Sequence, residues 1–161
     1  MRTWAPKGQT PVVQFHFNWK QLSIIAGLTL HSCCFRLFPG TIKSEQIVIF
    51  LKALRRQLRQ RLLIIWDGLR AHRSRLVRDY VDSTRGRLQL AFLPPYAPEL
   101  NPQEHVWDEL REKEFPNRVY ADMASVRAQL EAGLPRLAAD HKSLRSLTAW
   151  PWINTLILNA H

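Results

Sequence analysis

The chain has 161 residues, 46% of them hydrophobic, which suits one compact domain with a sizeable core. Its 23 lysines and arginines outnumber its 13 acidic residues and give a formal net charge of +10, so a polyanionic partner such as nucleic acid is favoured. The first residues lack the apolar core of a secretory signal, and no run of about 18 uncharged apolar residues exists for a membrane span. We therefore expect a cytosolic protein without a membrane partner. The adjacent cysteines, Cys33 and Cys34, predict reduced thiols in a buried strand and no zinc site.

The first part of the chain predicts a loop followed by a β-hairpin. Residues 1 to 14 contain Pro6, Gly8 and Pro11 among polar residues, which is typical of a loop that leads into a strand. Two apolar runs, Gln21 to Thr29 and Ser32 to Phe38, predict a pair of strands joined by a short turn.

A helix is predicted from Ser44, as its N-cap, to about Arg61. Apolar residues recur at helical spacing along this segment and define one face of the helix. The opposite face carries basic residues, which are Lys52, Arg55, Arg56 and Arg59. Such a face is more often solvated than in contact with DNA, and both explanations stay open.

The apolar run Leu62 to Trp66 predicts a buried strand that ends at Asp67, the first aspartate of the chain. A helix from about Ser74 to Ser83 and a strand from Leu88 to Leu93 follow. An aspartate between a strand and a glycine is commonly a turn residue or a helix cap, so Asp67 alone is weak evidence for a functional site.

The prolines between Pro94 and Pro98 predict a stiff loop, which holds the next helix, from Pro102 to about Glu114, at a fixed angle. Glu104 lies in the first turn of that helix. Because Asn101 is a suitable N-cap and Glu104 occupies the third helical position, a capping box is the alternative to a functional role for this glutamate.

The C-terminal part predicts further helices at roughly Ala121 to Ala139 and Lys142 to Leu147. The element order of hairpin, helix, strand, helix, strand and helix predicts an α/β fold, a mixed sheet with helices on both faces. The same order fits a ribonuclease H-like fold that lacks its first strand. We expect a single, partial domain over residues 1–161, with a helical extension from about residue 120.

Asp67 and Glu104 strengthen each other as candidates for a metal site. A carboxylate from a strand end beside one from a helix start is a geometry that holds Mg²⁺ or Mn²⁺, because these hard ions take a few fixed oxygen ligands and keep several waters. Between Met1 and Trp66 the only acidic residue is Glu45. A carboxylate site is therefore not completed from that segment.

The sequence resembles the catalytic domain of the mariner-like insertion-sequence transposases, which are of the DDE type. The run Leu-Pro-Pro-Tyr-Ala-Pro-Glu-Leu-Asn-Pro-Gln-Glu-His-Val-Trp, residues 93–107, resembles the motif of the third carboxylate in that family. The segment Ile65 to Gly68, together with His72, resembles the second motif, and Arg2 to Pro11 resembles the segment that follows the first catalytic aspartate. The resemblance is strong between residues 62 and 115 and loose after 120.

The resemblance implies a ribonuclease H-like fold in which Asp67 is the second and Glu104 the third catalytic metal ligand. It implies two-metal phosphoryl transfer on transposon ends with Mg²⁺ or Mn²⁺ as cofactor, where one ion activates a water or a DNA 3′-hydroxyl and the other stabilises the leaving oxygen. The implied partners are transposon-end DNA and target DNA, and a homodimer on DNA is a possible assembly. The implied location is the bacterial cytosol or nucleoid.

The first aspartate of the family lies in a strand before the position of Arg2 and has no counterpart in this sequence. We therefore interpret the chain as N-terminally truncated and predict little or no activity for it alone. A non-catalytic DNA-binding or regulatory remnant of an insertion sequence is the alternative. A ribonuclease H-like nuclease of another type is disfavoured by the proline-rich third motif.

Two residues near the predicted motifs have open roles. His72 either orients Asp67 or approaches the scissile phosphate, or it is a loop histidine without such a role. Tyr96, in the proline-rich loop, either stacks on DNA or, more simply, buttresses the loop.

Three further residues on the helix of Glu104 could take part in the site or hold the helix in place. Asp108, one turn later, is a metal ligand through water or, more simply, an exposed charge. His105 points about 100° away from Glu104 around the helix, so packing or hydrogen bonding is expected of it. Trp107 is predicted to anchor the helix on the sheet.

Overall fold

The structure is a computed structural model that describes residue 7 and residues 21–30, 32–115, 120 and 122–158. Apart from Lys7, the predicted loop over residues 1 to 14 lies outside the described residues. The elements, in chain order, are β1 (Leu22–Leu28), β2 (Cys33–Pro39), α1 (Ser44–Leu58), β3 (Leu62–Trp66), α2 (Arg75–Ser83), β4 (Leu88–Phe92), a 3₁₀ turn (Pro98–Leu100), α3 (Pro102–Glu114), α4 (Met123–Ala139), α5 (His141–Thr148) and α6 (Pro151–Leu158).

The predicted hairpin is confirmed. Strands β1 and β2 are antiparallel, and their register runs from Leu22 opposite Pro39 to Leu28 opposite Cys33. The chain leaves β2 through Gly40 with φ of +76°, a left-handed conformation that glycine adopts without steric cost. Both cysteines of β2 are buried and free, and burial, helped by the neighbouring Cys34, raises the pKa of Cys33 to about 11.

Strands β3 and β4 are parallel, with Leu62 opposite Leu88 and Trp66 opposite Phe92. Helix α2 is the crossover between them, as a parallel pair requires. The N–H of Leu93 donates to the carbonyl of Trp66 at 2.8 Å, so the loop after β4 leaves the sheet beside the end of β3. That edge is where Asp67 follows its strand.

The antiparallel and parallel pairings of the predicted mixed sheet are both present, but they form two separate ladders. Among the described residues, no backbone ladder joins the β1–β2 pair to the β3–β4 pair. The two pairs still share a core, because Ile25 of β1 and Ile64 of β3 both pack against the buried face of α1 around Ile47 and Leu51.

Helices cover both faces of the hairpin, which confirms the α/β class. On one face Cys34 packs with Phe50 and Leu54 of α1. The opposite face contributes side chains to a second core with α3 and α4, in which the hairpin residues are Leu22, Ile24, Leu28, Phe35 and Leu37. This alternation follows from the two-residue period of a strand.

Helix α1 differs from its predicted bounds at both ends. Ser44 is its first helical residue and Lys43 is the N-cap, so the prediction of Ser44 as the cap was wrong. The N-terminus of the helix is capped instead by Gln46, whose side-chain oxygen accepts a hydrogen bond from the N–H of Lys43 at 3.0 Å. The helix ends at Leu58 because Arg59 adopts a left-handed conformation with φ of +51°.

The C-terminal region is helical, as predicted, with α4 and α5 capped by Asp122 and Asp140. Helix α6, which begins at Pro151, was not predicted. None of the helices in the described part of the chain is both long and apolar enough to cross a membrane.

Candidate functional site

Asp67 lies directly after β3, and its side chain is 45% exposed. One of its carboxylate oxygens, Oδ1, accepts from the N–H of Leu69 at 3.1 Å and lies 2.7 Å from Nδ1 of His72. The second oxygen, Oδ2, has no hydrogen-bond partner among the residues that the structure describes. Asp67 is therefore held through one of its two carboxylate oxygens.

His72 is fixed in two ways. Its ring is stacked on Trp66, with centroids 4.3 Å apart and an interplanar angle of 2°, and its side chain is only 16% exposed. Nδ1 faces two acceptors, Oδ1 of Asp67 and, at 3.3 Å, the carbonyl oxygen of Asp67. Because a carboxylate and a carbonyl oxygen both accept, the proton belongs on Nδ1. Of the predicted alternatives for His72, orientation of Asp67 is the one that this geometry favours.

An arginine that the sequence analysis did not single out lies beside these residues. The guanidinium of Arg73 is 4.7 Å from the ring centroid of Phe92, at the end of the strand paired with β3. A Cβ on Gly68 would lie 3.0 Å from a terminal nitrogen of Arg73, so the glycine after Asp67 leaves room for the guanidinium. No local signal distinguishes Arg73 from the other arginines of this region, because its position depends on the ring of Phe92.

Glu104 lies in the first turn of α3, where Asn101 is the N-cap and Pro102 the first helical residue. Asn101 accepts from the N–H of Gln103 at 3.2 Å. The exposed side chain of Glu104 forms neither a hydrogen bond nor an ion pair with any described residue, so the capping box that was the structural alternative is not formed. A helix N-terminus favours such a negative charge electrostatically.

Helix α3 is anchored through the side opposite Glu104. Val106 and Leu110 are buried, and Trp107 packs against the same core, which confirms its predicted role as an anchor. The ring of His105 meets Trp150 edge-on with centroids 5.5 Å apart, a packing role as expected. Asp108 is exposed and pairs with Arg111 at 3.2 Å, which fits a plain surface charge.

Tyr96 does not buttress the proline-rich loop. Its side chain is fully exposed, and its φ is +58°, a conformation that costs an L-residue energy. The prediction that favoured buttressing was wrong, because the ring projects from the loop instead of packing under it.

Asp67 and His72 are brought together, whereas Glu104 enters on a separate element and shares no hydrogen bond with Asp67. The described residues contain no group of three or more histidine, cysteine, aspartate or glutamate side chains arranged to hold a metal. Mg²⁺ is often bound through one or two carboxylates plus substrate phosphates. The carboxylates of Asp67 and Glu104 are of the residue type that suits such an ion, and each comes from a separate element.

The helix-covered antiparallel hairpin and the parallel β3–β4 pair with its crossover helix form a ribonuclease H-like α/β fold. The fold matches the catalytic domain of Mos1 transposase solved with raltegravir and Mg, with a TM-score of 0.61 and 16% identity over 83% of this chain and 74% of that one. It also matches the Mos1 mariner paired-end complex with Mn, with a TM-score of 0.62 and 16% identity over 91% of this chain and 48% of that one. At these identities the likeness establishes the fold.

The family is established by sequence. Residues 1–127 match the family described as DDE superfamily endonuclease, and the chain belongs to that family, which confirms the resemblance found in its motifs. A curated relative, the uncharacterized protein y4pE/y4sA of Sinorhizobium fredii (strain NBRC 101917 / NGR234), is 32% identical over 65 residues, which cover 40% of this chain and 48% of the relative. The alignment thus spans about half the length of that relative.

Proposed function

We propose that this chain is a transposase catalytic domain that acts on transposon-end DNA by two-metal phosphoryl transfer, with Asp67 and Glu104 as metal ligands. The observation that carries the proposal is the state of the two carboxylates. Asp67 is oriented through Oδ1, and its Oδ2 bonds to none of the described residues. Glu104 is exposed at a helix start and unpaired among the same residues.

Neighbouring side chains have supporting roles in this proposal. Divalent ions, when bound, would supply activation of a water or a 3′-hydroxyl and stabilisation of the leaving oxygen. His72 holds the carboxylate plane of Asp67 through Nδ1, as histidine and carboxylate partners commonly do around metal sites. Arg73, held over Phe92, offers guanidinium N–H groups to a phosphate oxygen of the DNA.

Transposon ends and target DNA are the proposed partners, and a homodimer on DNA is the proposed assembly. Support for the DNA partners comes from family membership and from solved structures of the same fold, which include a Mos1 paired-end complex and a Mos1 strand transfer complex. The strand transfer complex matches with a TM-score of 0.59 and 16% identity over 91% of this chain and 49% of that one.

We further propose that the 161-residue chain by itself has weak metal affinity and little cleavage activity. Glu45 is the only acidic residue before Asp67, and a third ligand is not found among the described side chains. Robust manganese-dependent nicking of plasmid DNA by the purified chain, abolished in Asp67→Ala, would refute the proposal that the chain alone has little cleavage activity.

A non-catalytic DNA-binding or regulatory role is the second candidate. It is favoured by the charge of the segment from Lys43 to Arg87, which contains twelve basic and four acidic residues. Both candidates require DNA binding, but only the first requires that Asp67 and Glu104 bind a metal together.

Electron paramagnetic resonance of free Mn²⁺ measures how much of the ion the chain binds, and this measurement distinguishes the catalytic from the non-catalytic role. We expect weak binding by the wild-type chain and a loss of at least about tenfold in affinity in both Asp67→Asn and Glu104→Gln, as large as losses from outer-shell partners. Asp108→Asn is the matched control, because it removes one carboxylate from the same helix as Glu104 and leaves the two proposed ligands intact. Equal affinities in all three variants, or no binding by the wild type at millimolar Mn²⁺, would contradict the metal site and leave the non-catalytic role.

A further inference from the structure

Helices α1 and α2 enclose a cleft that lies outside the candidate metal site. It has a volume of about 380 Å³ and is lined by Lys52, Arg55, Arg56 and Tyr80. Three of its four lining residues are cations of α1. Arg55 and Arg56 are adjacent, and Lys52 lies one helical turn before them. A cleft lined by charges of one sign raises the local concentration of ions of the opposite sign.

Tyr80 organises these cations. Its hydroxyl accepts from Nη1 of Arg55 at 3.2 Å, and Nζ of Lys52 is 5.6 Å from the centroid of its ring. A guanidinium has five N–H donors in a fixed fork, so this single bond orients Arg55 and leaves its other donors for a ligand. A basic face that is merely solvated needs no such anchor from a second helix.

Carboxylates do not neutralise the cleft. None of the three cations forms an ion pair with another residue in the described ranges, and Asp79, the carboxylate next to Tyr80, pairs instead with Arg75 at 3.6 Å. Lys52 and Arg56 are exposed, whereas Arg55 is partly buried. The cleft is therefore a preorganised, unpaired positive site that is open to solvent.

The position of the cleft separates it from Asp67. Helix α2 starts just after the loop of His72, and Tyr80 lies six residues beyond the N-cap Ser74, about 9 Å along the helix axis. Helix α1 leads into β3 at Leu62, so its C-terminal half lies toward the end of β3 opposite Asp67.

We propose that the α1–α2 cleft binds backbone phosphates of duplex DNA, outside the position of the proposed metal-binding carboxylates. Lys52 and Arg56 supply charge, and Arg55, held by Tyr80, donates hydrogen bonds to one phosphate. This inference rests on the proposed function in that it takes DNA as the substrate, but it requires neither metal nor cleavage.

The test is the salt dependence of binding to a fluorescein-labelled 30-base-pair duplex, measured by anisotropy with EDTA present. Neutralising two phosphate contacts in Lys52→Gln/Arg56→Gln should lower the slope of log affinity against log salt by about 1.8, from about 0.9 for each contact. Lys142→Gln/Arg145→Gln on α5 is the matched control, since both residues are exposed cations and the charge change is the same. Tyr80→Phe keeps the ring and removes only the acceptor of Arg55, so it should weaken binding without changing net charge.

The outcomes separate this inference from the proposed function. A cleft variant that loses no more slope than the α5 control, with Tyr80→Phe equal to the wild type, would overturn the cleft and leave the metal site untouched. Binding of poly-glutamate as tight as that of DNA, lost in the same cleft variant, would also overturn it and indicate an acidic protein partner. If Mn²⁺ affinity does not depend on Asp67 and Glu104 but the cleft variant still lowers the salt slope, only the catalytic proposal is overturned. Thermal unfolding of each variant verifies that it is folded.

Discussion

Nδ1 of His72 lies 2.7 Å from Oδ1 of Asp67, and this contact sets the direction of the only aspartate that follows a strand of the parallel pair. The stacking of His72 on Trp66 means that the same strand end supplies both the carboxylate and the surface that fixes its partner. Asp67 is thus oriented before any ligand binds, which lowers the entropic cost of binding one.

Replacing His72 should weaken metal binding through the loss of one hydrogen bond. His72→Phe keeps an aromatic ring on Trp66 but removes the donor, and we expect Mn²⁺ affinity to fall about 10- to 100-fold, the usual range for an outer-shell partner. His72→Asn retains a donor close to the position of Nδ1 and should recover much of that loss. Paramagnetic titrations of the two variants check this, and a His72→Phe variant with wild-type affinity would show that His72 does not position Asp67.

Truncating the core contact of α1 should destabilise the fold. Leu51 is 1% exposed and packs in the core between α1 and the β3–β4 pair, so Leu51→Ala should cost about 2–5 kcal/mol in the free energy of unfolding. Leu63 of β3 is 53% exposed, and Leu63→Ala, which deletes the same atoms, should cost about 0.5 kcal/mol or less. Urea unfolding of both variants measures the difference, and equal costs would contradict the packing of α1 described above.

The cap of α5 should make stability depend on acidity. The backbone N–H and the hydroxyl of Ser143 donate to Asp140 at 3.1 and 2.7 Å, and these bonds hold the pKa of Asp140 below its ordinary value of 3.8. Because the folded-state pKa is the lower one, the stabilisation is present above pH 3.8 and is lost as the pH falls through the folded value.

Asp140→Asn tests this dependence, because asparagine also caps a helix but does not titrate. Its unfolding free energy should fall less steeply than that of the wild type between about pH 5 and pH 2, the acid range in which a depressed aspartate titrates. Urea titrations across that range measure the slopes. Parallel slopes in the two proteins would show that Asp140 contributes nothing to acid sensitivity.

Replacing Tyr96 should not destabilise the protein. Since its ring is fully exposed and its φ is +58°, Tyr96→Asn exchanges an L-residue under steric strain for one that tolerates this conformation, and stability should stay unchanged or rise by up to about 1 kcal/mol. Thermal unfolding measures the change. A drop of more than about 1 kcal/mol would restore the buttressing role.

Much of the local structure was predictable from the chain alone. The hairpin, β3, β4, α2 and the start of α3 follow from apolar periodicity and from turn and capping residues that act within a few positions of each other. The same local logic misplaced the cap of α1, because Lys43 and Gln46 supplied a cap that Ser44 was expected to provide. It also missed α6, whose proline and apolar residues had not suggested a helix.

The residue types of the candidate site can be read from the sequence, but their side-chain contacts cannot. The family was identified from the motifs, because residue types in a fixed order carry that information, and the roles of Asp67 and Glu104 stay predictions from the same motifs. Whether Glu104 caps its own helix depends on side-chain conformation, and the structure shows that its side chain bonds to none of the described residues.

The remaining relationships join residues whose separation in the sequence says nothing of their distance in space. Arg73 meets Phe92 across the parallel pair, and Arg55 meets Tyr80 across two helices. The sequence by itself determined the charge, the family motifs and most of the elements, since these follow from composition and short-range pattern. The tertiary structure decided which side chains are oriented, unpaired or anchored, because those states depend on how separate elements pack against one another.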